Sequence, residues 1–307
     1  MATAVASPSE FLVAAPPEPR PEPQRDRYGR YLIPHPETGE VVAWTRATTF
    51  ASAIADQRGI ENWRCRMTAV GIARRPDLLA AVASVAEPTS EAGKKALGAH
   101  ARAAQEHAGT TVRATIGTAI HAWAEALDTG RKVSIPEPWR ADVEAYREAL
   151  SGAGVTVSER YVERICLLPE LGVAGTMDRL VRMASSLVPV VGDIKTGADL
   201  GYSWVEIAIQ LALYAHSSFV WDPRTETMHR MPELNKLAAL VCHVPAGEGR
   251  CQLHLVDIKA AWPMVEVCKQ VREWRQRKDL AVPLERPEMR EAAPIAAAEE
   301  RNGHAAA

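Results

Sequence analysis

The stretch Gly172–Tyr214, GVAGTMDRLVRMASSLVPVVGDIKTGADLGYSWVEIAIQLALY, decides how the chain folds. Val173–Met183 is an apolar run with Asp178 in its middle. Leu187–Ile194 is a second apolar run, too short for a typical helix and rich in Val, so a buried strand is expected. It ends in Asp193-Ile194-Lys195-Thr196-Gly197. Side chains alternate along a strand, which puts Asp193 and Lys195 on one face and turns Ile194 into the core. A hairpin across Ala184–Ser186 would bring Asp178 near Asp193. Carboxylates buried without a partner are strongly unfavourable, so a cation belongs between them. Mg²⁺ fits, because it takes oxygen ligands and usually needs only one or two protein carboxylates.

The next element is a helix that Ser203 can cap, carrying Trp204, Ile207, Leu211 and Phe219. It sets Gln210 and Tyr214 one turn apart on one face. A lone Asp-x-Lys at a strand end usually makes a solvated surface ion pair. Two acids, a lysine and a glutamine inside IAIQLALYA are harder to explain as structure alone.

Gly175-Thr176-Met177-Asp178, Asp193-Ile194-Lys195-Thr196-Gly197 and Gln210-Leu211-Ala212-Leu213-Tyr214 together resemble the PD-(D/E)XK nuclease superfamily, in its RecB-like and phage or CRISPR-associated exonuclease branch. That branch also carries Gly-x-x-x-His on an upstream helix, which Gly117–His121 matches. The resemblance covers roughly Thr45 to Lys278. It implies a restriction-endonuclease-like α/β core: a central mixed sheet of about five strands flanked by helices, with an N-terminal helical cap. It implies Mg²⁺ or Mn²⁺ held by His121, Asp178, Asp193 and the Ile194 carbonyl. Asp178, Asp193, Lys195, Gln210 and Tyr214 would be the catalytic set, with Lys195 positioning water or neutralising the transition state. Glu125 is a candidate for orienting the histidine, and either Glu159 or Glu163 for assisting the metal. The activity implied is DNA phosphodiester hydrolysis, as an exonuclease in recombination, repair or phage replication. A structure-specific endonuclease and a silent DNA-binding or assembly subunit are the alternatives. A recombinase or single-strand annealing protein is the partner such an exonuclease would have.

The rest of the chain fits this frame. With 47% hydrophobic and 24% charged residues it has an ordinary globular composition. A net charge of −2 gives no global nucleic-acid footprint, so basic surface must be local. Arg64, Arg66, Arg74 and Arg75 are the candidates for holding DNA phosphates. No apolar run approaches the roughly 20 residues that span a membrane. The N-terminus lacks a signal-peptide pattern, so a cytoplasmic location is expected, that of the host if the chain is phage-encoded. Five cysteines form no C-x-x-C pair, and only Cys268 follows the last expected strand, so no iron–sulfur cluster is expected. Residues 1–27 are Pro-rich and residues 287–307 Ala- and Glu-rich, and both are expected as disordered tails. Between them lies one domain, 28–286, mostly helical over 28–150 and holding the catalytic core over 151–286.

Overall fold

Strands that are apolar on both faces need cover on both sides, and the chain supplies it by sandwiching its central strands between helices. The computed structural model describes residues 21–281, apart from Pro138 and, within one helix, the side chains of residues 111–114. Stretches 1–20 and 282–307, which hold most of both expected tails, lie outside the described residues. Residues 21–27 of the expected tail are described, and there the Leu32 amide donates to the Gln24 carbonyl at 2.8 Å.

Strands β1 (Tyr31–Pro34) and β2 (Val41–Arg46) form a hairpin that leads into α1 (Ala47–Ala51). A helical run follows: α2 (Arg58–Arg74), α3 (Pro76–Ala83), α4 (Glu91–His107), α5 (Thr110–Asp128) and α6 (Arg140–Gly152). Ser90 caps α4 by accepting from the Gly93 amide. Helix α3 was not expected. Pro76 opens it at the position where a missing N–H costs nothing. Next come β3 (Thr156–Val157), β4 (Arg164–Leu168), β5 (Val173–Met177), β6 (Arg179–Arg182), β7 (Val190–Lys195) and α7 (Trp204–Ala215). The chain then adds β8 (Phe219–Asp222), β9 (Thr227–Arg230), β10 (Ala238–His243), β11 (Gln252–Asp257) and α8 (Ile258–Trp274).

The fold is α/β with mixed sheets, but among the described residues there are two of them rather than the single sheet expected. A five-stranded sheet runs β11-β10-β7-β6-β3, and a six-stranded sheet runs β1-β2-β5-β4-β8-β9. The extra strands explain the difference. Phe219 opens β8 instead of continuing α7, and part of the expected turn Asp222–Glu233 is strand β9. Asp222 Oδ1 accepts from the Arg224 amide at 2.9 Å, making the tight turn between them.

Strand β6 pairs antiparallel with β7, Leu180 opposite Val191, and β7 runs parallel to β10, Val241 beside Asp193. The hairpin connection is longer than Ala184–Ser186. Pairing stops at Val190, and Pro189 before it has no amide to offer. Leu180, Val191 and Val241 face a core shared with α7 and α8, and Val181, Ile194 and Cys242 face one shared with α5 and α6. Asp178 is the one residue between β5 and β6, so one continuous stretch serves both sheets.

A compact unit containing both sheets ends at Val271, and a second begins at Arg272. Among the described residues no helix is long and apolar enough to cross a membrane. The five cysteines form no disulfide.

Candidate active site

Asp178 sits where the chain passes from one sheet to the other. Its Oδ2 accepts from the Ile194 amide at 2.8 Å and lies 3.4 Å from His121 Nδ1. Its backbone oxygen accepts from the Glu163 amide at 2.7 Å. Glu163 makes that contact with φ at +55°, a left-handed conformation uncommon for a residue with a side chain. Such strain persists only where the surroundings fix it, and it gathers at functional sites. The kink separates the 3₁₀ turn at Glu159–Tyr161 from β4 and leaves the Glu163 side chain buried. One ligand atom each from His121, Glu163 and Asp178 fall within 4.8 Å of one another.

This set differs from the expected one. Glu163 joins His121 and Asp178, whereas Asp193 Oδ2 meets Lys195 Nζ at 2.6 Å. One imidazole and two carboxylates suit a divalent cation, Mn²⁺ in particular, because imidazole is a softer donor than oxygen. Burial works against charge on Asp178, yet His121, Arg179, Lys195 and the Ile194 amide together hold its carboxyl below the usual range. Asp193 goes the other way: burial, joined by the Asp178 charge, lifts it to about 6 despite Lys195. For Lys195 burial opposes the charge, but Asp193 and Asp178 outweigh it and raise its pKa. Lys195 is therefore an ammonium at neutral pH.

Two glycines let these elements meet. A Cβ on Gly117 would lie 2.5 Å from Thr196 Oγ1, so only glycine lets α5 settle on the loop after Lys195. His121 follows one turn later, and buried Ile120 and Ala124 hold that helix on the sheet. A Cβ on Gly175 would lie 2.6 Å from Tyr214 Cε1. Tyr214 fills that space and accepts a 2.9 Å hydrogen bond from Gln210 Nε2. Burial raises its pKa well above the usual tyrosine value. Gln210 and Tyr214 thus contact each other, and Tyr214 backs β5.

The remaining expected residues lie elsewhere. Glu125 is one turn beyond His121, but its Oε1 accepts from Arg224 Nη2 at 2.8 Å and lies 3.5 Å from Arg131 Nη2. Glu159 is exposed on the 3₁₀ turn. Arg64, Arg66 and Arg74 are exposed on α2, and Arg75 forks onto Asp77.

Arg179 was not singled out from the sequence. It follows Asp178, is fully buried, and donates through Nη1 to Asp128 and to the Tyr146 hydroxyl. The Tyr146 hydroxyl in turn donates to Asp128 at 2.9 Å. This network ties the end of α5 and the middle of α6 to β6, beside the acid that meets His121. Gly192 makes room for it, since a Cβ there would lie 2.9 Å from Arg179 Cγ. The signal in the sequence is an arginine inside the apolar run AGTMDRLV. No protein-family model matches the chain, and the comparison with curated proteins gives no match.

Proposed function

We propose that the chain is a divalent-metal-dependent nuclease with a restriction-endonuclease-like core that hydrolyses DNA phosphodiester bonds, working from strand ends as an exonuclease. The observation that carries this reading is the convergence of His121, Glu163 and Asp178 beside the Asp193–Lys195 pair. A binding module has no need of such acids around a histidine.

A bound Mg²⁺ or Mn²⁺ would lower the pKa of a water and polarise the phosphoryl oxygen. His121, Glu163 and Asp178 would hold the ion, and Asp178 keeps its charge through neutral pH because its carboxyl sits low. Lys195 brings positive charge to a reaction in which an anionic nucleophile meets an anionic phosphate, the largest electrostatic demand of this chemistry. Its raised pKa makes it a charge donor and not a base. Asp193 fixes the ammonium in place through the 2.6 Å contact.

The test is degradation of end-labelled single- and double-stranded DNA with Mg²⁺, Mn²⁺ or EDTA, run beside Lys195→Ala. Metal-dependent cleavage that the variant loses supports the reading, and the product ladder gives the polarity. No cleavage with any metal or substrate sinks it.

A further inference from the structure

We propose that the phosphates of a bound DNA strand lie across a guanidinium cluster formed by Arg131, Arg160, Arg164 and Arg224, on the side of the site where Glu163 enters. The proposal rests on the nuclease reading for the identity of the polyanion, and on the geometry of the cluster for its place.

The four arginines come from four separate elements. Arg131 follows α5, Arg160 lies in the 3₁₀ turn at Glu159–Tyr161, Arg164 opens β4, and Arg224 is in the turn between β8 and β9. Two carboxylates hold three of them. Glu125 Oε1 is shared by Arg224, at 2.8 Å, and Arg131, at 3.5 Å. Asp222 Oδ2 meets Arg164 Nη2 at 3.0 Å. Arg160 stands exposed over the Tyr161 ring, 5.7 Å from its centroid. Arg164 is partly buried and lies close enough to Arg224, Arg160, Asp222 and Glu125 to feel the charge of each.

A cluster that only stapled the β8–β9 hairpin to α5 would need one arginine per acid. Here two guanidinium groups converge on one carboxylate oxygen and two more stand near, which leaves positive charge in excess. Side chains of Arg131 and Arg224 are 40% and 38% exposed, so that excess faces solvent. Planar guanidinium groups are the side chains best matched to phosphate oxygens. The cluster is also continuous with the candidate metal ligands. Arg164 follows Glu163 directly, and Glu125 is one turn beyond His121. A strand whose scissile phosphate met His121, Glu163 and Asp178 would place its neighbouring phosphates on these arginines.

The experiment reads binding, not cutting. The full chain is titrated in EDTA with a fluorescein-labelled single-stranded DNA, by anisotropy, over a series of NaCl concentrations. For a single strand, an arginine that no longer meets its phosphate lowers the slope of log K against log[salt] by about 0.7. Arg131→Gln/Arg160→Gln is expected to reduce it by about 1.4 on the same count, with an unchanged circular dichroism spectrum. Should the double variant fail to fold, Arg160→Gln alone, an exposed side chain, is expected to give half that change. An unchanged slope, no binding by the wild type, or a fall found instead in Arg64→Gln/Arg66→Gln overturns the proposal. A wild-type chain that binds with the expected slope and never cuts overturns the nuclease reading and leaves the cluster standing. A chain that cuts but keeps its slope in the double variant overturns the cluster alone.

Discussion

The carboxylate of Asp178 accepts the amide of Ile194 at 2.8 Å, so the joint between β5 and β6 directly grips β7, the strand that carries Asp193. With that bond in place Asp178 Oδ2 still lies 3.4 Å from His121, and it joins Glu163 in the ligand cluster. The acid is held by backbone before any cation arrives.

A cation that binds only the folded chain must therefore raise its melting temperature. At a concentration 100-fold above Kd the added stability is about 2.7 kcal/mol. Mn²⁺ is expected to raise Tm in the wild type, and the rise is expected to shrink sharply in Glu163→Gln and in Asp178→Asn. Differential scanning fluorimetry with and without Mn²⁺ measures this. Equal shifts in all three proteins would remove Glu163 and Asp178 from the metal site.

The closeness of Gly117 to Thr196 makes a double-mutant cycle informative. Gly117→Ala gains up to about 1 kcal/mol of helix propensity. Against wild-type Thr196 the new methyl would lie 2.5 Å from Oγ1, an overpacking that costs about 1–3 kcal/mol. The single variant is expected to be less stable than wild type by urea denaturation. In a Thr196→Ala background the nearest remaining side-chain atom is Cβ at 3.6 Å, and the same substitution should stabilise. Identical effects in the two backgrounds would show that α5 does not rest on that hydroxyl.

Arg179→Met leaves Asp128 buried without its cation. Breaking a buried pair from one side costs about 3–5 kcal/mol. Pairing it with Asp128→Asn should recover part of the loss, because no bare charge then remains inside. Chemical denaturation of the single and double variants decides it, and a loss below about 1 kcal/mol in Arg179→Met would mean that the network is not a structural tie.

Acid should weaken the fold through His216. Its ring lies flat on Trp262, with centroids 3.6 Å apart and planes 4° from parallel. Burial, followed by the charge of Lys236, lowers its pKa from 6.5 to about 4. Between those values the unfolded chain holds a proton that the folded chain refuses, so this contribution to stability rises with pH and is lost as pH falls from 6.5 towards 4. His216→Phe keeps a ring on Trp262 and removes the titration. Its stability is expected to vary less with pH in that window, and an unaltered slope would clear His216 of the effect.

The parts of the fold that repeat a local period were legible in the sequence. The β6–β7 pairing, the shared face of Asp193 and Lys195 and the helix bearing Gln210 all follow from spacing alone. Phe219 was misread because Leu211, Ala215 and Phe219 are four apart, which imitates a helix face, although α7 stops at Ala215. The second sheet was missed because β2 pairs with β5, Thr45 beside Val173, and no local pattern announces so distant a partner. Of Glu159 and Glu163 it is Glu163 that lies beside His121 and Asp178, at a left-handed φ whose amide bonds to the Asp178 carbonyl, and no local pattern announces that bond. Asp193 lies outside the His121, Glu163 and Asp178 cluster, and its Oδ2 lies 2.6 Å from Lys195 Nζ.

Asp178 joins a strand of one sheet to a strand of the other. A copy in which either sheet has come apart keeps the carboxylate but loses its place beside His121 and Glu163. A hydrolase of the kind proposed would thus be disarmed while nascent, frayed or half-melted. Its chemistry would depend on both sheets being in place where they meet at that one residue.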